Sequence, residues 1–364
     1  MEKSLDILLA EGAKIKNMNI IKKLLDEKYV IDLFRKEILP KYPDFVDIKK
    51  VKITTHKKLI WETTYHIVFE FKTSFLVKNN NRQDSGAGKI KTLPIFCSAH
   101  SDEPRKNVYD ALHYLWDNGF AKGFLSIPHP LFYSEYFNGV FYRGVSGNNL
   151  YHYIRKGDRK EIETIVPKAA AWFAKLHKTP TEKARNFNEE NSRIRTVIPN
   201  EKIILSDIKK LYPEYYETYK KAYAIFTKKE EDFLNSTKKR WLIHGDAHPE
   251  NIIKMGKKKL AVIDFTDICL SDFARDLGCF LQQFEYMSMR KINDMEFTEK
   301  IKNLFLENYF KNAKIKLDED LQKRIDNYYN WTNIRTATFF LLKDQSEPTR
   351  AVSLIEKVKN NLGI

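Results

Sequence analysis

The stretch Trp241-Leu242-Ile243-His244-Gly245-Asp246-Ala247-His248-Pro249-Glu250-Asn251-Ile252-Ile253, followed by Leu260-Ala261-Val262-Ile263-Asp264-Phe265, decides how the chain is read. Two short apolar runs, 241–243 and 260–263, bracket a polar loop. Residues 252–255 and 260–263 read as a hairpin across the turn Gly256-Lys257-Lys258-Lys259. Buried strand ends therefore deliver three polar groups: Asp246, Asn251 five residues later, and Asp264 thirteen after that.

Such a set suits phosphoryl transfer, which asks a protein for little covalent chemistry. It needs a carboxylate to take the proton of the attacking hydroxyl and hard oxygen ligands for magnesium. A His-Gly turn with an Asp is by itself ordinary turn chemistry; Asn251 and Asp264 at fixed spacing weigh against that reading. A metal site of His244, Asp246 and His248 is the other rival, but a loop H-x-D-x-H offers no fourth ligand and fits no zinc spacing.

The spacing matches the catalytic loop H-R-D-x-x-x-x-N and the later metal-binding Asp of protein kinases, with Gly245 in place of the Arg and Asp264-Phe265-Thr266 in place of D-F-G. His-Gly-Asp-x-His-x-x-Asn and the following Ile-Asp-Phe resemble the aminoglycoside phosphotransferase and choline kinase-like branch of that fold. The resemblance is specific over 241–278 and extends along the chain as element order. It implies an α+β, two-lobed protein-kinase-like fold. Residues 1–145 would form a nucleotide-binding lobe of N-terminal helices and antiparallel sheet. Residues 146–364 would form a helical lobe with the catalytic loop and acceptor site, the two joined at about 144–149.

Composition sets outer bounds. The 364 residues are 43% hydrophobic and 13% aromatic, ample for a sizeable core and for two lobes. Cys97, Cys269 and Cys279 are an odd, scattered set that implies no disulfide framework and fits a reducing cytosol. Leu5–Ala10 is too short for a leader, and no run of about 18 apolar residues exists, so no membrane span is expected. The formal charge of +15 comes largely from Lys interleaved with Glu and Asp. That favours a solvated surface over specific nucleic-acid binding.

The N-terminal half is expected to be helix, then sheet. Apolar residues at near-helical spacing over 19–39 end at Pro40 and Pro43. Residues 49–76 read as two strands around a turn at His56–Thr64, where a kinase would carry its phosphate-covering glycine loop; this turn has no glycine. Asn79–Lys91 reads as a polar hairpin loop, and Thr92–Ala99 as a third strand. A helix follows, capped by Ser101 or Asp102 and ended by Asn118-Gly119. The resemblance places a phosphate-pairing Lys in the third strand, where Ser98 stands. Lys91, Arg105, Lys106 or a Lys of the first strands are the alternatives for that charge. Asn138-Gly139 marks a hairpin within 128–145. In the related fold the backbone near Arg143, Gly144 and Val145 binds the adenine edge.

From 150 the pattern is helical. Ile165, Ala169, Trp172 and Leu176 form one stripe, and Pro167 is expected to kink or break it. Residues 181–203 read as a loop region over the acceptor site, and 205–235 as a helix or helix pair. Asp272 is expected as a helix N-cap and Asp276 as a loop-bracing carboxylate, with helices at 296–311, 318–343 and 348–361. The activity implied is transfer of the γ-phosphate of ATP, with GTP the alternative, to the hydroxyl of a small molecule. Asp246 would orient and deprotonate that hydroxyl, Asn251 and Asp264 would hold Mg2+, and His244 would brace the loop. A catalytically weak or inactive nucleotide-binding protein of the same fold is the competing reading. Acceptor and oligomeric state are not legible in the residues.

Overall fold

Strand β1 (Phe45–Ile60) and strand β2 (Tyr65–Val77) owe their form to alternation. Along β2 every second side chain (Tyr65, Ile67, Phe69, Phe71, Thr73, Phe75) is buried, while polar residues fill most of the gaps. A period of two puts the apolar set on one face of a pleated ribbon. Burial of each such Phe stabilises by roughly 2–3 kcal/mol. The computed structural model describes residues 19–78 and 89–364. Leu5–Ala10 and most of the hairpin loop expected at Asn79–Lys91 lie outside them.

Contacts divide the described residues into two compact units, one reaching to Trp116 and including Pro128–Val145, the other of Asp117–Ile127 and Ser146–Ile364. The first is built on a five-stranded antiparallel sheet. With β3 (Lys89–His100), β5 (His129–Ser134) and β6 (Gly139–Arg143), its order is β1-β2-β3-β6-β5. Helix α1 (Glu27–Glu37) lies on the buried face, with Phe34 edge-on to Phe71 at 5.3 Å and to Phe141 at 6.1 Å. The expected single helix over 19–39 is divided: Ile20–Leu25 is a 3-10 turn, and Asp26 caps α1 by accepting from Lys28 N and Tyr29 N. An Asp side chain that satisfies two orphan amides makes a stable helix start there.

The turn after β1 is also tighter than expected. The strand runs on to Ile60, and the tip is only Trp61–Thr64, closed by Trp61 N donating to Thr64 O. Asn19 Nδ2 donates to Trp61 O and Thr64 O, both at 3.0 Å. The tip is thus held by a side chain from before the sheet. Helix α2 (Lys106–Leu115) starts later than Ser101 or Asp102 would allow, and no side chain caps it. Ser101 Oγ instead accepts from Tyr65 N.

The second unit opens with β4 (Leu125–Ser126), which runs parallel to β10 (Leu260–Val262). That pairing draws residues 117–127 into this unit. A small sheet of order β4-β10-β9-β7 is completed by β7 (Asn148–Asn149) and β9 (Ile252–Lys254). Helices α3 (Leu150–Lys156) and α4 (Arg159–His177) are separated at Gly157, whose φ of +65° a side chain would resist. The break expected at Pro167 does not occur, and α4 runs through it. Along α4, Ile165, Ala169, Trp172 and Leu176 are buried, and Trp172 Nε1 donates to Ser126 O.

Helices α5 (Glu201–Leu211) and α6 (Tyr216–Ser236) precede the loop quoted at the outset. That loop leaves β8 (Trp241–Ile243), which pairs antiparallel with β11 (Cys269–Ser271). After it come α7 (Ala274–Lys291), α8 (Met295–Ala313), α9 (Glu319–Leu342) and α10 (Pro348–Leu362). All three cysteines are buried and free. Among the described residues no helix is long and apolar enough to cross a membrane.

Candidate active site

Two ribbons aim the loop. Strand β8 carries it from one side, and the β9–β10 hairpin receives it on the other. Ile263 N donates to Asn251 O at 3.0 Å, extending the Val262–Ile252 register by one step. Asn251 just before β9 and Asp264 just after β10 are therefore neighbours across one hairpin.

His244 is fully buried and holds three segments together. Its Nε2 donates to Ile263 O at 2.9 Å, and its Nδ1 accepts from Asp246 N at 3.3 Å. Beneath it, Asp276 near the start of α7 accepts from His244 N (Oδ2, 2.7 Å) and Gly245 N (Oδ1, 2.9 Å), and faces His177 Nε2 at 3.0 Å. Burial alone would raise the Asp276 carboxyl; the hydrogen bond and charge of His177 hold it below the usual range. It is the loop-bracing group the sequence suggested, and His177, at the C-terminal end of α4, is its partner. Asp272 does not cap α7 as a terminal residue, but its carboxylate takes Ala274 N at 3.1 Å and Arg324 at 2.5 Å.

Gly245 has φ +83°, and a Cβ there would collide with the carbonyl of Asp267. The Arg of the kinase pattern has no room at this position. Asp246 follows, its side chain 46% exposed and facing His248 Nε2 across 3.2 Å. Glu250 N donates to His248 Nδ1, which leaves the Nε2 proton for Asp246. Asn251 Nδ2 donates to Asp246 O at 3.0 Å and lies 3.3 Å from Asp246 Oδ2 and 3.1 Å from His248 Nε2. Although water reaches Asp246, protein surrounds it on its other sides, and that burial would raise its pKa. The charge and hydrogen bond of His248, with the charge of Arg335, outweigh it and hold the carboxyl well below its ordinary value. His248 is correspondingly raised, because the pull of Asp246 exceeds its own burial penalty.

Asp264, exposed and at φ +64°, accepts from Thr266 Oγ1 at 2.9 Å through Oδ1. Among the described residues nothing donates to Asn251 Oδ1. Two acceptor oxygens from adjacent hairpin ends fit a hard cation, which keeps several waters and asks for only one or two protein oxygens. Among the described residues no cluster of three His, Cys, Asp or Glu could hold a metal.

The loop opens onto a pocket of about 740 Å³, floored by Asp246, Ala247 and Asp267 and walled by α7 and α9. Several of its residues carry no sequence signal. Burial, reinforced by the charge of Asp246, raises Asp267, and Asn191 Nδ2 donates to it at 2.6 Å. Asn191 lies in the loop expected to cover the acceptor site. The guanidinium of Arg275 stacks on Trp331 at 4.9 Å and donates to the carbonyls of Asn191 and Gly245.

The residues expected to bind nucleotide lie in the first unit. Ser98 sits mid-β3 on the half-exposed face, opposite Val68 and Val140. Arg143 ends β6 opposite Ile95, and Gly144 N donates to Pro94 O at 2.9 Å. A Cβ on Gly144 would run into the Phe96 ring. Val145 is the last residue of that unit. Lys57 pairs with Val68, which pairs with Ser98, so Lys57 and Ser98 share a face with one strand between them. Burial and the Lys57 charge push His66, on that face, down to about 4. Of the other candidates for the absent strand lysine, Arg105 is buried against Glu103, and Lys106 pairs with Asp110.

A model of the phosphotransferase enzyme family matches residues 91–313, more than half of the chain. The chain belongs to that family. This phosphotransferase also shares its fold with solved kinases. Choline kinase from Cryptosporidium parvum Iowa II superposes with a TM-score of 0.56 at 13% identity, over 92% of this chain and 95% of its own. Amicoumacin kinase, solved with AMP-PNP and Ca2+, gives 0.52 at 14% identity over 92% and 96%. Spectinomycin phosphotransferase, solved with ADP and spectinomycin, gives 0.51 at 12% identity over 91% and 94%. At such identities the likeness shows the fold alone, α+β and protein-kinase-like. No curated protein matches in sequence.

Proposed function

We propose that this phosphotransferase moves the γ-phosphate of ATP, or of GTP, to a hydroxyl of a small molecule seated in the pocket beside Asp246. The observation that carries the reading is Asp246 itself: a carboxylate at the floor of a pocket, held between His248 and Asn251. The acceptor O–H hydrogen-bonds to Asp246. As the new O–P bond forms and the bond to the departing diphosphate breaks, the proton passes to Asp246 and ADP leaves. A carboxylate with so low a pKa is a weak base, so its work is to orient the hydroxyl and take the proton late, once the oxygen has begun to bond. His244 keeps the loop in place. Asn251 Oδ1 and Asp264 would hold Mg2+, which supplies positive charge to the phosphate oxygens. In the first unit, the backbone at Arg143, Gly144 and Val145 would meet the adenine edge, and the face around Ser98 would take the phosphates. Lys57 on that face is the strand lysine best placed to lend charge.

A weak or inactive nucleotide-binding protein is the second reading. Ser98 in place of the lysine, and a tip without glycine, favour it. One experiment separates the two. ADP release is followed with Mg-ATP and a panel of hydroxylated small molecules, for the wild type and Asp246→Asn. Turnover of an acceptor that falls roughly 100- to 10,000-fold in the variant, with nucleotide-dependent thermal stabilisation retained, is expected. Equal turnover in the variant removes Asp246 from its role. Stabilisation by nucleotide without transfer to any acceptor selects the second reading.

A further inference from the structure

The pocket beside Asp246 has basic walls. Arg275, Arg290, Lys291, Arg335, Lys343 and Arg350 line it, six cations against the three carboxylates Asp246, Glu250 and Asp267. Part of that charge is already answered. Glu347 pairs with both Lys343 and Arg350, and Arg275 is occupied by two backbone carbonyls. Arg290 and Lys291 make no ion pair among the described residues, and Arg335, whose charge reaches Asp246 and Asp267, makes none either. Arg290 donates only to the neutral hydroxyl of Tyr286 at 2.9 Å.

Arg335 is the most telling. Its guanidinium lies 5.1 Å from the Trp331 ring centroid, its Nη2 reaches Ile198 O only at 3.5 Å, and its Nη1 is sealed from solvent without any partner. A guanidinium that lines a pocket without an ion pair of its own is shaped to take a carboxylate or phosphate in a forked pair. Phe339, 61% exposed, adds an apolar surface to the same pocket.

We infer that the acceptor is an anionic, polyhydroxylated small molecule, with one hydroxyl at Asp246 and a carboxylate or phosphate at Arg335 and Arg290. The inference rests on the phosphotransfer reading of Asp246 and deepens it. A polycation would meet like charge along α7 and α9, and a neutral polyol would leave Arg290 and Lys291 without a counter-charge.

Calorimetric titration of the full-length protein with matched ligands tests this. Gluconate is set against sorbitol, glucose 6-phosphate against glucose, and kanamycin serves as the polycation. At least one anion should bind about tenfold more tightly than its neutral partner. Arg335→Gln should erase most of that preference, and so should Arg290→Gln, an exposed site where folding is not at stake. The two pairs distinguish a carboxylate from a phosphate. Equal affinity within both pairs, no affinity for either anion, or a preference for kanamycin overturns the inference. So does a preference that survives both substitutions, because the basic wall would then serve some other group. ADP release with Mg-ATP and the tightest ligand separates this from the parent reading. Anion preference without transfer defeats phosphotransfer and leaves the anion site standing, whereas transfer to kanamycin keeps phosphotransfer and defeats the anionic acceptor.

Discussion

Asp246 and His248 form a pair whose properties belong to neither alone. His248 lowers the carboxyl and is itself raised, so each favours the charged form of the other. If activity needs ionised Asp246, its acid limb in the wild type lies below the ordinary Asp value of about 3.9. His248→Gln removes the largest lowering charge and leaves the burial that raises the group. The acid limb of kcat/KM should then move to higher pH, seen as a lower ratio of activity at pH 5 to that at pH 7.5. Superimposable profiles would show that His248 does not set the charge of Asp246. At this scale the sequence was informative where local geometry decides. Asp246, Asn251 and Asp264 lie close along the chain, and one hairpin relates the last two. Arg335 and Trp331 were not legible, because packing alone selects which turn of α9 faces the pocket. Nothing near 331–335 distinguishes those residues from any other buried stripe.

At the scale of elements, the start of α7 is an anchor for the catalytic loop. Asp276 accepts two loop amides and faces His177, all of them buried. Asp276→Ala would orphan two buried N–H groups and the imidazole together, and should cost on the order of 3 kcal/mol or more. Asp276→Asn, which keeps one acceptor oxygen, should recover part of it. Urea denaturation with the three proteins side by side checks the order; a loss within 0.5 kcal/mol, roughly that of an ordinary surface change, would mean that water replaces the carboxylate. The longer helices were readable from their periodicity to within a few residues. Shorter features were not. Strand β11 has three residues, too few to show a period in the sequence, and the 3-10 turn ends where Asp26 caps α1. Of the two outcomes expected at Pro167, a kink or a break, the break is excluded, because α4 runs through it.

Across the whole molecule, one buried acid ties folding to pH. Glu230 on α6 accepts from Ile194 N at 2.7 Å and from Tyr328 Oη at 3.1 Å, and burial raises it to about 7. In the unfolded chain the same group titrates near about 4.3. Its folded pKa is the higher one, so its contribution is complete below about 4.3 and is lost as pH rises through about 7. The difference corresponds to on the order of 3 kcal/mol. Glu230→Gln should flatten the fall in stability between pH 5 and pH 8, measured by chemical denaturation; an unchanged slope would assign the fall to other groups.

The buried cysteines have a practical consequence. Cys97 lies within the sheet of one unit, and Cys269 and Cys279 lie in the other, with burial pushing the latter two up to about 12 and about 11. A thiol both shielded and protonated is a poor nucleophile. Each half of the chain therefore carries a silent chemical tag of its own, one that an alkylating reagent can mark only after that half has come apart.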